Sequence, residues 1–541
     1  GGPSDRQSAG SQTVFALAAR YLDMTAAADL VLTNAEVHSL AEPDETAEAM
    51  AIRDGTIVRV DKEYEVNFLV GIDTDVIDLE GRVVIPGFVD AHTHMEQFGQ
   101  YLVHADLSAV ASLDEALSRL QQEAEPGDES DRDWVFGFGW DESNWPENRY
   151  LQKEDLDRVS DERPIAAVRV DMHLAALNSV ALERLRAEMP DDDVRTENGE
   201  PTGVVVEDAV EPVRDAVASD PAETRKLLTA ARDAAHELGV TGVHDKVRDS
   251  HAPRVYRELD DSDELGLRVR IDYWSDHLDA ALETGLRTNH GSEMVRVGGI
   301  KSFTDGSIGG RTAKLSEPFA DDPEETGKWV VDPNDLRDLV DRADREGFQL
   351  TVHAIGDEAT RETVAVFENC DNPEGARHRV EHAELVDQDV LVRMAEAGIV
   401  ASCQPNFLKW AGEESLYQDR LGEDRRRRSN ALRELLEAGV PLAFGSDCMP
   451  LDPLLGVYHA VNAPDERQQL SVTEALRAYT KGSAYAGFDE SRLGTIEEGK
   501  LADLVALERS PWEHPNAIED IDVTLTVVDG EVVHDARPQG W

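Results

Sequence analysis

Between residues 28 and 85, apolar and polar positions alternate in short runs: ADLVLTNAEVHSL, AMAIRDGTIVRV and TDVIDLEGRVVI. The runs are broken at Asp54-Gly55 and Glu80-Gly81. A period of two marks half-buried strands, and the breaks are turn chemistry, so a β-meander is predicted. The C-terminal end repeats the pattern in KLADLVALE and VTLTVVDGEVVHDARP, with Asp529-Gly530 at the turn. Two strand-rich ends predict one small β-sandwich from residues 24–85 and 490–541. In the middle the period changes. Apolar runs such as VTGVHD, RVRIDYW, VGGIKSF, FQLTVHAIGD and VPLAFGSD each lead into helical stretches. In ETRKLLTAARDAAHELG, for example, Leu227, Leu228, Ala231 and Leu238 fall at helical spacing. Strand–helix repetition predicts parallel strands, and about eight such units predict a closed (β/α)8, TIM-like barrel of the α/β class over residues 86–489. Residues 95–235 hold more chain than one β/α unit needs, which predicts an inserted subdomain over 130–215 after the first barrel strand.

Composition changes the picture of the surroundings. The 541 residues carry 111 Asp+Glu against 53 Lys+Arg, a formal net charge of -58, and only ten of the cations are lysine. The acids are spread along the chain, so they form a solvated acidic surface whose self-repulsion concentrated salt would screen. A halophilic protein is expected, and nucleic acid or an anionic membrane is disfavoured as a partner. Cys370, Cys403 and Cys448 show no CxxC spacing, so neither a disulfide framework nor a thiolate zinc site is indicated. No apolar run approaches the roughly 20 residues that span a bilayer. Residues 1–23 lack a signal pattern and Met24 reads like a natural start, so they are read as an upstream segment and the protein as cytoplasmic.

The chemistry centres on VVIPGFVDAHTHM. An apolar strand ends in His92-Thr93-His94, and alternation aims both imidazoles the same way. Alone, this is either half a metal site or two histidines at a loop start. His353 ends QLTVH, His382 lies in RVEHAEL and Asp447 ends PLAFGSD, separated by whole β/α units. Residues in phase with the repeat reach one barrel rim, so all five are read as ligands of a divalent metal, one or two ions, most plausibly zinc. Lys301, in VGGIKSFTDGS, is a rare lysine inside an apolar strand. It is read as a carbamylated, bridging anion, or else as an ammonium paired to Asp305 or to a substrate carboxylate.

These residues, with PGFVDAHTHM, GFGWDESNW, DGSIGGRTA, HAIGDEA, VEHAEL, QPNF, FGSDCMPLDP and LGTIEEGKLADLVAL, resemble the amidohydrolase superfamily. More narrowly they resemble its family 3 branch, which includes N-substituted formamide deformylases; the likeness spans residues 28–535. It implies a sandwich plus barrel, one or two divalent metals, and hydrolysis of a C–N bond. One passage departs: where the branch reads Asp-Gly-His-Ser, this chain has Asp171-Met172-His173-Leu174.

The expected function is metal-dependent hydrolysis of a small amide or cyclic amide, with a deaminase or a non-catalytic regulatory protein as alternatives. Asp447 is the expected proton carrier, and His382 and His173 are candidates to stabilise the oxyanion. His173 also fits a buried structural histidine. Arg311 could clamp a substrate carboxylate or pair with local acids. Trp140, Trp145 and Trp410 fit either a substrate pocket or core. Asp171 and Gln404 complete the expected substrate contacts, and Arg425–Arg428 reads as a solvated helix start. A small molecule is the expected partner, and a homodimer is a plausible assembly for a barrel.

Overall fold

The computed structural model describes residues 26–125, 133–170 and 174–537. Packing divides the chain into two units. One comprises the described parts of Gly1–His94, Arg232–Asp249 and Tyr256–Trp541; the other comprises those of Met95–Ala231 and Ser250–Val255.

In the first unit, eight parallel strands form one sheet in sequential order. They are β1 (Phe88–Thr93), β2 (Val240–Val247), β3 (Arg268–Trp274), β4 (Val295–Phe303), β5 (Gln349–Ala354), β6 (Arg379–His382), β7 (Val400–Cys403) and β8 (Leu442–Phe444). Their near-continuous burial is what helices on the outside and side chains on the inside of a barrel require. Closure is made just past β8. The Asp447 N–H donates to His92 O at 2.8 Å, and the Ser446 N–H donates to the Asp90 carboxylate at 3.0 Å. Gly445 is required there, because a Cβ would lie 2.4 Å from His92 N.

Two further sheets of this unit form the sandwich. Leu30–Thr33, Ala49–Arg53, Thr56–Asp61 and Asp75–Asp78 make one. In the other, Val83–Pro86 pairs with Leu504–Leu507, so the two ends of the chain share a sheet. Leu30, Leu32, Met50, Ile52, Val84, Leu504, Leu525 and Val527 fill the core that both sheets contribute to.

The second unit is wider than the expected 130–215, since it begins at Met95, directly after β1. Its six-stranded mixed sheet has core on both faces, Phe136 and Phe138 on one side and Val135 and Trp140 on the other. Alternation alone would keep Trp140 with Phe136 and Phe138. The register shift at Gly139, whose φ is +90°, turns Trp140 to the opposite face. Among the described residues no helix is long and apolar enough to cross a membrane.

Candidate metal centre

Strand ends deliver the site. His92 Nε2, His94 Nε2 and an Asp447 oxygen lie within 4.8 Å of one another, with Asp447 Oδ1 3.6 Å from His92 and 3.2 Å from His94. The His382 ring follows at 4.9 Å from that of His92, and the His353 ring at 4.5 Å from that of His382. His353 and His382 thus continue the row without joining the three-atom group. Lys301 Nζ is 3.5 Å from His92 Nε2. Strand alternation accounts for His92 and His94, but not for His382 and Asp447. These have φ values of +73° and +55°, so the backbone turns off the strand to aim them. Such conformations in non-glycine residues cost about 1–3 kcal/mol each and persist where the surroundings hold them.

Each imidazole has one nitrogen engaged by a protein acceptor. His92 Nδ1 meets Glu381 Oε2 at 2.5 Å, His94 Nδ1 meets Lys246 O at 3.3 Å, and His382 Nδ1 meets Gln404 Oε1 at 2.6 Å. In His353 it is Nε2 that is engaged, by Gly306 O at 2.9 Å. In His92, His353 and His382 a nitrogen facing an acceptor carries the proton, so the other presents a lone pair; in His94 both nitrogens face acceptors, Nε2 lying 3.2 Å from Asp447 Oδ1. Burial reinforces this. It pushes His92 and His353 well below the usual imidazole range and His382 down to about 4. Burial opposes ionisation of Asp447, and the His92, His94 and His382 rings hold its carboxyl below the usual range only where they carry protons. Imidazole nitrogens beside a carboxylate are the donor set that a divalent cation takes.

The supports were not foreseen. Glu381 is fully buried and held by Arg379, whose Nε is 2.8 Å from Oε1; Arg379 also donates to Ala91 O, Ser402 Oγ and His244 Nδ1. Asp90, which burial raises to about 6, accepts from the His92 and Ser446 N–H groups and so ties the two ligand-bearing ends together. Both acids stand in the runs VDAHTH and VEHAEL. The available signal was a carboxylate inside an apolar strand, which is costly unless partnered.

Several expectations are corrected. Trp140 is fully buried in the core of the second unit, its Nε1 donating to Ala167 O at 3.0 Å and its ring stacked on Trp145, so it does not contact substrate. Arg311 is engaged bidentately by Asp321, at 3.1 and 2.8 Å. Gln404 is fully buried and orients His382 instead of meeting a substrate. His382 Nδ1 is engaged by Gln404, which leaves Nε2 for a cation or a substrate. Among the described residues no ion pair joins Lys301 to Asp305, whose carboxylate accepts from the Lys314, Ile355 and Gly356 N–H groups. Burial lowers Lys301 to about 8. Arg425–Arg428 is the last turn of the helix Leu416–Arg428, and Arg426 is buried, donating to Gln418 and to Ala411 O. Asp171 and His173 lie outside the described residues.

A sequence model of the amidohydrolase family matches residues 75–534. The chain is 32% identical to the Bacillus subtilis (strain 168) protein YtcJ, which carries a provisional amidohydrolase name, over 92% of this chain and 98% of that one. It is 28% identical to the N-substituted formamide deformylase of Arthrobacter pascens, over 94% and 98%. Among solved structures it is similar to an uncharacterized metal-dependent hydrolase from Pyrococcus furiosus, with a TM-score of 0.77, 29% identity and coverage of 89% and 99%. The chain therefore belongs to the amidohydrolase family.

Proposed function

We propose that the protein is a divalent-metal hydrolase that cleaves the C–N bond of an amide or cyclic amide in a small molecule. One observation carries this reading: four imidazoles at the ends of three barrel strands stand beside Asp447, and in His92, His353 and His382 one nitrogen is held by a protein acceptor while the other is bare. His92, His94 and Asp447 would hold one ion, and His353 and His382 a second. An ammonium at Lys301 would repel both. Loss of a proton from its Nζ, followed by reaction of the free amine with CO2 to form an N–C bond and release a second proton, would give an anion in place of that cation. Imidazole and carboxylate donors take zinc, iron, manganese or nickel according to supply, and zinc is the ion proposed. Such an ion, when bound, lowers the pKa of a water and polarises a carbonyl. Asp447 takes the proton of the attacking water on its carboxylate and delivers it to the leaving nitrogen. Gln404 and Glu381 keep His382 and His92 in the required tautomers.

The test is elemental analysis of protein purified in molar KCl, the salt its acidic surface calls for. Turnover of an amide panel would then be followed by amine, carboxylate and ammonia release, before and after chelation. Bound metal and chelator-sensitive release of amine or carboxylate are expected. Ammonia as the product would instead point to a deaminase. Metal-loaded protein that turns over nothing, with a biological role that survives His382→Ala, would point to a regulatory protein. Light scattering would test the proposed homodimer.

A further inference from the structure

The rings at the candidate centre belong to a longer row. Centroids run from Trp274 to Phe303 at 5.0 Å, to His353 at 4.6 Å, to His382 at 4.5 Å, to Phe407 at 6.0 Å and to Trp410 at 5.0 Å. Phe303 is two residues from Lys301 on β4 and shares its strand face; Lys301 Nζ lies 5.0 Å from the ring. Phe407 lies within 6° of parallel to His382. The reactive imidazoles are thus flanked on both sides by flat apolar side chains. Core packing would account for Phe407, which is 5% exposed, but Trp274, Phe303 and Trp410 are only half-buried. In a chain that is 6% aromatic and coated with acid, half-buried rings aligned at a reaction centre mark a binding wall.

The cations of the neighbouring loops have partners already. Arg311 is on Asp321, and Arg248 donates to Asp276 while lying over Trp274. Lys409 donates to Met449 O and lies over Trp410. A formal charge of -58 also opposes the approach of anions.

We infer that the substrate is an uncharged amide carrying a flat apolar group, seated against the Trp274–Phe303 and Phe407–Trp410 rings, and not an N-acyl amino acid held by its carboxylate. This rests on the cation centre proposed above, and the experiment separates the two. Metal-loaded protein is titrated with acetohydroxamate, benzohydroxamate and succinate monohydroxamate, which share one chelating head and differ in a methyl, a phenyl or a carboxylate-bearing tail. Affinities are corrected for each probe's binding to free metal. Benzohydroxamate is expected to bind about 10- to 100-fold more tightly than acetohydroxamate, the worth of burying one aromatic ring. Trp274→Ala and Trp410→Ala should each reduce that ratio. Because acetohydroxamate has no ring, the ratio cancels any change at the cation itself. Equal affinities of the two probes, or a ratio that neither variant lowers, would overturn the inference and leave the hydrolase reading standing. Preference for the carboxylate tail, lost in Lys409→Met, would overturn it in favour of a carboxylate clamp. Failure of all three probes to bind would remove the cation centre and the inference together.

Discussion

Two groups of ligand-type side chains occur among the described residues, and they differ in one respect that decides their chemistry. His92, His94 and Asp447 gather at the C-terminal ends of barrel strands; Asp344, Cys370 and His378 gather near the N-terminal ends of β5 and β6. Both meet the same mutual spacing of 4.8 Å. In the second group, however, His378 Nδ1 accepts the Leu350 N–H at 3.1 Å, which places the ring proton on Nε2, and Nε2–H donates to Asp344 at 3.1 Å. That pair is complete without a cation. The Cys370 thiol is pushed up to about 12 by burial and by Asp344 and Asp341, so it offers no thiolate. At the first group Glu381 and Lys246 O face the Nδ1 atoms, and both Nε2 atoms turn toward Asp447, 3.6 and 3.2 Å from its Oδ1. Ligand type and spacing alone do not distinguish the two groups; the partners of the ring nitrogens do.

The largest effect that would sharpen this contrast is Asp447→Asn, expected to retain most metal while kcat falls by about 10²–10⁴-fold. Metal analysis beside steady-state kinetics checks it, and full activity would remove Asp447 from proton transfer. Glu381→Leu should weaken metal binding by about 10–100-fold in chelator competition, with Glu381→Gln, which keeps an acceptor for Nδ1, affected less. Wild-type affinity in the Leu variant would break the comparison. Protons compete with the cation for His382 Nε2, and burial places that protonation near 4 instead of the ordinary 6.5. Affinity should therefore hold as pH falls through 6 and decline only toward 4. A loss of about threefold between pH 7 and 6 would mean that the imidazole titrates as an exposed one. In the second group, Asp344→Ala should leave the metal stoichiometry unaltered and cost about 1–3 kcal/mol in denaturant melts, because the His378 N–H loses its acceptor. Smallest of all, Arg311→Met should change KM by no more than about twofold, since breaking an exposed ion pair has little effect; a large rise in KM would restore the substrate-carboxylate role.

Much of this was legible in the linear pattern. Period-two runs at both ends and strand–helix repetition between them are consequences of burying one face of a sheet or both, so the sandwich strands and the barrel strands can be read without coordinates. The phase of His92, His94, His353, His382 and Asp447 with the repeat likewise placed them at strand ends. Local backbone geometry was not legible. The bulge at Gly139 that turns Trp140 into core, and the left-handed turns at His382 and Asp447, depend on neighbours distant in the chain. Nor were pairings legible: Arg311 meets Asp321 while Glu381 meets His92 across 289 positions, and nothing in the composition distinguishes an acid that neutralises a surface arginine from one that orients an imidazole. The sequence by itself determined which side chains could reach the rim, because strand period and repeat length are local properties. Only the tertiary structure decided which acceptor each histidine nitrogen faces, because that choice is made by residues that folding alone brings together.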